Sequence, residues 1–183
     1  MDKAFIANII IIVLELCGFY VCRSRGWGIL VFYTQLSNFV TLISSVCFLI
    51  SRDASATVTL RYLSTVMLTM TVLITLFVLV PMGAGFVRMM LSGMGRFHHT
   101  LCPLISITSY ILWEQHSAMW GVPVAVTAAY GIAMLFLNYK GMVDGPYPFL
   151  RVRYQSVKAT VIWMVALTVL ITALSLGVTR IAG

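Results

Sequence analysis

The chain has 183 residues, of which 61% are hydrophobic and only 9% are charged. About a quarter of the residues of an ordinary globular domain are charged, so this composition excludes a soluble protein and indicates an integral membrane protein. The net charge of +7 comes from Lys and Arg residues between the apolar segments. It therefore indicates membrane topology and contact with lipid head groups, and we expect no nucleic-acid partner.

Six apolar segments follow one another, and we predict an all-α, polytopic integral membrane bundle that forms one helical domain over residues 1–183. We interpret the first segment as a membrane helix and not as a cleaved signal peptide. The fourth is the weakest, since only Leu101–Trp113 is free of charge, and five spans are the alternative. The predicted spans are Ala4–Cys22, Trp27–Ile50, Leu60–Met82, His98–Trp120, Val122–Tyr139 and Val157–Thr179.

The basic residues of the connecting loops predict an orientation. With six spans, the first, third and fifth loops carry more Lys and Arg than the opposite side, which favours a cytoplasmic location for these loops. The first group is Arg23, Arg25, Arg88, Arg96, Lys140, Arg151, Arg153 and Lys158, and the second is Lys3, Arg52, Arg61 and Arg180.

The first span contains a carboxylate, Glu15, on the same face as Asn8. A charged group exposed to lipid is costly, so we expect Glu15 to face the bundle interior and to be hydrogen-bonded or paired there. It is a candidate supporting residue of a site, and the alternative is a carboxyl group that only joins helices.

A polar stripe runs along the second span. Thr34, Ser37, Asn38, Thr41 and Ser45 recur at helical spacing, so they share one face. Hydroxyl and amide groups have no partners among lipid tails, and the stripe is therefore expected to face protein or a cavity. The span prediction places Thr34 about five residues inside the membrane helix, roughly 7 Å below its end.

Two adjacent histidines open the fourth span. His99 aligns at helical spacing with Pro103, Ser106 and Tyr110, which predicts that it points inward, whereas His98 is expected at the membrane interface. The loop before the last span contains Tyr147-Pro148-Phe149, whose bulky side chains we expect to press against the membrane face.

The chemistry that these groups permit is limited. The sequence carries none of the common hydrolase, phosphate-binding or zinc motifs, and its four cysteines lack metal-ligand spacing, so we expect no metal and no cofactor. What remains is a hydroxyl and an imidazole at similar depth: Thr34 as nucleophile and His99 as general base. Asn38 or backbone amides of a loop would stabilise an oxyanion.

Three short segments together resemble a known family. They are Tyr33-Thr34-x-x-Ser37-Asn38, His99-x-x-x-Pro103 and Gly145-x-Tyr147-Pro148-Phe149-Leu150. These segments are similar to the androgen-induced-gene-one family of small multi-span proteins and its bacterial relatives. Members of that family are threonine hydrolases that cleave fatty-acid esters of hydroxy fatty acids.

The resemblance implies specific roles. Thr34 matches the family's nucleophile and His99 its base, with the adjacent His98 as the alternative base; Asn38, Glu15 and Ser37 would support them. It implies a lipid or fatty-acyl ester as substrate, with membrane lipids around the protein, and we expect the bacterial cytoplasmic membrane as its location.

Two functions of other classes remain open from the sequence. A carrier or channel for a small solute would use Glu15, Asn38 and the polar stripe as its path. A structural membrane subunit would use the same hydroxyl groups only for helix packing.

Overall fold

The computed structural model describes residues 2–182, and within them every regular element is helical. Six helices are twelve residues or longer. Helix α3 continues as π-helical turns through Thr75–Ala84, and a π-helical segment, Arg96–Leu101, leads directly into α4. The six helices are α1 (Lys3–Cys22), α2 (Tyr33–Ser51), α3 (Ser55–Ile74), α4 (Cys102–Trp113), α5 (Gly121–Tyr139) and α6 (Val157–Ala182).

Five helices are long and apolar enough to cross a membrane: α1, α2, α3 with its extension, α5 and α6. The predicted all-α membrane bundle is therefore confirmed. The fourth predicted span was too long, because α4 ends at Trp113 and the chain through Trp120 is largely non-helical. Helix α4 and the segment before it pack antiparallel to α1, with His98 near Gly18 and Glu114 near Asn8.

The second span begins later than the hydropathy predicts. Residues Trp27–Val31 form a short 3₁₀ helix, Phe32 is extended, and α2 starts only at Tyr33. Thr34 is therefore in the first helical turn and not five residues inside the helix. Its main-chain N–H belongs to the group of donors that a helix start leaves without an intrahelical acceptor.

The polar stripe of α2 faces protein, as expected. All five of its members are buried, and so is Ser44 on a neighbouring position. Ser44 of α2 donates to Ser64 of α3 at 3.0 Å, and Ser37 of α2 shares a 3.0 Å hydrogen bond with Thr71 of α3. These bonds join α2 to α3 along their length, and Thr34 lies at the end of the stripe where α2 begins.

A buried ion pair holds the opposite end of the bundle. The sequence places Arg61 at the edge of the third predicted span, among the charges of that membrane side, but in the structure its side chain is 1% exposed and donates to both carboxylate oxygens of Glu114, at 2.7 and 2.8 Å. Asn8 of α1 and Ser109 of α4 donate to the same carboxylate. Because a buried charge is costly without a partner, this cluster determines how α1, α3 and α4 fit together.

Candidate functional site

Thr34 is held by hydrogen bonds on three sides. Its main-chain N–H donates to the phenolic oxygen of Tyr147 at 3.2 Å, and its Oγ1 lies 3.2 Å from the same oxygen. Its carbonyl oxygen accepts from Ser37 Oγ at 2.8 Å and from Asn38 Nδ2 at 2.7 Å. Thr34 is 7% exposed, so its hydroxyl group is fixed at the edge of the bundle interior.

Tyr147 reaches Thr34 because its loop folds into the bundle. The ring of Tyr147 stacks on Phe149 with centroids 5.2 Å apart, and Phe32 packs edge-on against it. Tyr147 and Phe149 are both buried, so the expectation that they press against the membrane face is wrong. Burial raises the pKa of Tyr147 above its ordinary value, while hydrogen bonds with Thr34 oppose the rise. The phenol is therefore neutral at physiological pH and able to donate.

Thr34 and His99 line the same cavity. This wide cavity has a volume of about 600 Å³ and lies between the start of α2, residues 79–95 and the loop at 146–148. Tyr147 and Arg88 also line it. The buried imidazole of His99 lies close to the carbonyl group of Met89, and neither ring nitrogen makes a hydrogen bond of ordinary geometry within residues 2–182. The imidazole is thus available to a group that enters the cavity.

A second, apolar cavity meets Thr34 from the other side. It has a volume of about 200 Å³ and lies between α3, α5 and α6. Its wall is mostly aliphatic and aromatic, and Gly131 of α5 opens it locally because glycine has no side chain. Thr34 and Tyr147 line both cavities. The threonine hydroxyl therefore lies between a narrow apolar cavity and a wider one whose lining is more polar.

Asn38 links the two parts of the site. Its amide nitrogen donates to the carbonyl of Thr34 at 2.7 Å and to the carbonyl of His98 at 3.2 Å. Both amide hydrogens are thus committed, since an amide NH₂ has only two. Asn38 connects the first turn of α2 to the segment that carries His99, and the predicted role of oxyanion donor does not fit this arrangement.

His98 does not lie at the membrane interface. It is fully buried, and its ring packs against Phe19 of α1 with centroids 4.8 Å apart. Its Nε2 lies 3.4 Å from Oε2 of Glu15, and a Cβ added at Gly18 would stand 2.1 Å from the same nitrogen. The space for this ring therefore exists only because residue 18 is glycine. His98 therefore packs against α1 and, unlike His99, is not part of the lining of the wide cavity.

The expectation that Glu15 faces the bundle interior is confirmed, because its carboxyl group is completely buried, with Oε2 3.4 Å from Nε2 of His98. The expected hydrogen bond is not found, because within residues 2–182 neither carboxyl oxygen makes one of ordinary geometry. The thiol of Cys102 faces the same carboxyl group. Three potential ligand types thus come close together, but the part of the chain that the structure describes holds no group of His, Cys, Asp and Glu side chains suited to a metal ion.

Sequence reasoning missed two features of the interior. The sequence pattern indicates a bulky, apolar role for Tyr147, whereas in the structure its hydroxyl is the partner of Thr34. Arg61 stands at the edge of the predicted third span, and the sequence did not indicate that this arginine of an otherwise uncharged helix and the glutamate just past Trp113 form a buried pair. The depth of Arg61 became evident only in the structure, where α3 begins six residues before it, whereas the predicted span begins at Leu60.

The fold and the site define a helical integral membrane protein with buried polar side chains toward both ends of the bundle. Two cavities border one threonine, Thr34. No family model, curated protein or solved structure matches the chain.

Proposed function

We propose that this chain is an intramembrane lipid-ester hydrolase in which Thr34 is the nucleophile and His99 the general base. The observation that carries the proposal is that both side chains line one cavity while Thr34 also borders an apolar cavity. An ester with a long acyl chain needs such a pair of spaces, one for the apolar chain and one for the alcohol part. The substrate class is a fatty-acyl ester, with fatty-acid esters of hydroxy fatty acids as the first candidates.

The reaction follows from the two groups. Oγ1 of Thr34 bonds to the carbonyl carbon of the ester while its proton passes to His99, because an unassisted hydroxyl is a weak nucleophile at neutral pH. The bond between carbon and the alcohol oxygen then breaks, and His99 returns the proton to that oxygen. Water repeats the sequence on the acyl-threonine: it gives a proton to His99 and bonds to the carbon, and Thr34 regains its hydrogen. The sum is ester plus water giving acid plus alcohol.

The substrate enters laterally from the bilayer. Ile132 and Thr168 line the apolar cavity and belong to faces of α5 and α6 that are exposed. An acyl chain in the membrane therefore reaches the cavity without crossing water. We place the protein in the bacterial cytoplasmic membrane, where acyl lipids surround it.

A small-solute carrier is the competing function, and the cavities favour the hydrolase. A carrier path along the polar stripe would need Glu15 and Asn38 to line one common cavity. Within residues 2–182, the two cavities beside Thr34 are lined by other side chains, and Asn38 and Glu15 pack against His98.

The experiment is release of free fatty acid from a hydroxy-fatty-acid ester by purified protein in nanodiscs, with labelling of Thr34 by a fluorophosphonate probe. The wild type should hydrolyse the ester and be labelled at Thr34. Thr41→Ala is the matched control, because Thr41 is buried on the same stripe and donates to the Ser37 carbonyl. An inactive and unlabelled wild type would contradict the proposal.

A further inference from the structure

We propose that Tyr147 is a further catalytic residue of this site, whose phenolic O–H donates the hydrogen bond that stabilises the oxyanion formed when Thr34 attacks an ester. This inference rests on the proposed hydrolase function. It supplies an oxyanion donor in place of Asn38, both of whose amide hydrogens are committed to main-chain carbonyls.

The position of the phenol is fixed independently of any substrate. Its ring is held between Phe149, on which it stacks, and Phe32, which meets it edge-on. Its oxygen lies 3.2 Å from Oγ1 of Thr34, the atom that would bond to the carbonyl carbon. The carbonyl oxygen of a bound ester would be one further bond away, and Tyr147 lines both cavities that such an ester would occupy. A preorganised donor of this kind costs little reorganisation during the reaction.

The hydrogen-bond inventory leaves the phenolic hydrogen free to act. The phenol oxygen accepts the main-chain N–H of Thr34, so its own hydrogen is directed elsewhere. In the resting site the phenol oxygen and Oγ1 of Thr34 share one hydrogen bond, in which either oxygen could be the donor. Once Oγ1 has given its proton to His99 and bonded to carbon, the nearest centre of negative charge is the former carbonyl oxygen.

The electron count is the same as in the uncatalysed attack. The π pair of the carbonyl moves to its oxygen as the bond from Oγ1 to carbon forms, and Tyr147 donates a hydrogen bond to that oxygen without losing its proton. When the carbonyl re-forms, the alcohol oxygen leaves with the proton held by His99. The phenol stays neutral throughout, because burial keeps its pKa above the ordinary value.

The first measurement is ester hydrolysis by Tyr147→Phe, which keeps the ring and its stacking and removes only the hydroxyl. We expect kcat to fall about 100-fold to 1000-fold with little change in KM, as for the loss of one oxyanion donor elsewhere. Tyr62→Phe is the matched control: that phenol is also buried and bonds Ser175 at 2.7 Å, remote from Thr34. It should retain wild-type turnover. Melting of both variants in detergent checks that they fold.

The second measurement separates stabilisation of the oxyanion from positioning of Thr34. An ester and its analogue with sulfur in place of the carbonyl oxygen are compared, since sulfur accepts hydrogen bonds weakly. The wild type should lose much of its rate on the sulfur analogue, and Tyr147→Phe should lose far less.

The outcomes discriminate between the two proposals. Wild-type kcat in Tyr147→Phe, alongside an inactive Thr34→Ala, would overturn this inference and leave the hydrolase function standing. An equal sulfur effect in wild type and Tyr147→Phe would also overturn it, because Tyr147 would then only position Thr34. No hydrolysis by the wild type and no labelling of Thr34 would overturn both.

Discussion

The phenolic oxygen of Tyr147 lies 3.2 Å from both the main-chain nitrogen and Oγ1 of Thr34, a residue 113 positions earlier in the chain. The contact joins the loop before α6 to the first turn of α2. It also satisfies an N–H group that the helix start leaves without an intrahelical partner. The geometry of the proposed nucleophile therefore depends on the docking of a distant loop, and the following predictions test that site and the interior that supports it.

Removal of the Thr34 hydroxyl should end turnover. We expect Thr34→Ala to lower kcat by several orders of magnitude, because no other atom can form the acyl-enzyme. Thr34→Ser should keep partial activity, since it retains the hydroxyl and loses the methyl group that restricts its rotamer. Both variants should remain folded, because a buried hydrogen bond in a membrane bundle contributes only about 0.6 kcal/mol. Full hydrolysis by Thr34→Ala would disprove the mechanism.

The two histidines should behave differently. His99→Ala should abolish turnover with little change in thermal stability, and combining it with Thr34→Ala should add almost nothing, since residues that act as a unit are non-additive. His98→Ala should instead lower the melting temperature, because it leaves a void beside Phe19, while turnover per folded molecule persists. Turnover lost in His98→Ala and kept in His99→Ala would reverse the assignment of the base.

The glycine beside His98 should resist substitution. In Gly18→Ala the new Cβ would stand 2.1 Å from Nε2 of His98, so the ring or the helix has to shift. We expect a loss of about 1–3 kcal/mol, the usual cost of overpacking. Gly177→Ala in α6 is the control, because a Cβ there meets no described atom within 4 Å. Equal unfolding midpoints for the two variants would show that α1 and the His98 segment are not packed as described.

Removing only one member of the ion pair between Arg61 and Glu114 should strongly lower the stability of the fold. Glu114→Leu leaves the arginine charge unpaired, and we expect a loss of about 3–5 kcal/mol in detergent unfolding. Arg61→Met combined with Glu114→Leu should recover part of that loss. The control is Arg52→Met, which removes an exposed pair with Asp2 and should change stability by less than about 1 kcal/mol. A double variant that is worse than Glu114→Leu alone would contradict this account.

The apolar cavity should determine the length of the acyl chain. Gly131→Phe places a ring in this space, beside Met164, and should raise KM for long-chain esters while short-chain esters are still hydrolysed. The matched control is Gly177→Phe, because residue 177 has open space around it. An unchanged chain-length profile in Gly131→Phe would show that the acyl chain binds elsewhere.

The extent to which this protein could be predicted from its sequence differs between its helices and its site. Hydropathy and helical period are properties of neighbouring residues, and they were sufficient for the membrane bundle, for the buried stripe on α2 and for the inward direction of Glu15. They could not locate the start of α2, because an apolar 3₁₀ turn at Trp27–Val31 has the same composition as a membrane helix.

The site itself was decided by tertiary structure. Three arrangements depend on side chains that are distant in sequence. They are the contact of Thr34 with Tyr147, the packing of His98 toward α1 while His99 lines the cavity, and the ion pair of Arg61 with Glu114. A membrane excludes water, so each buried polar group is forced to find a partner in the protein. The sequence alone determines which groups need partners; which partner each one finds depends on how the helices and the loop before α6 pack.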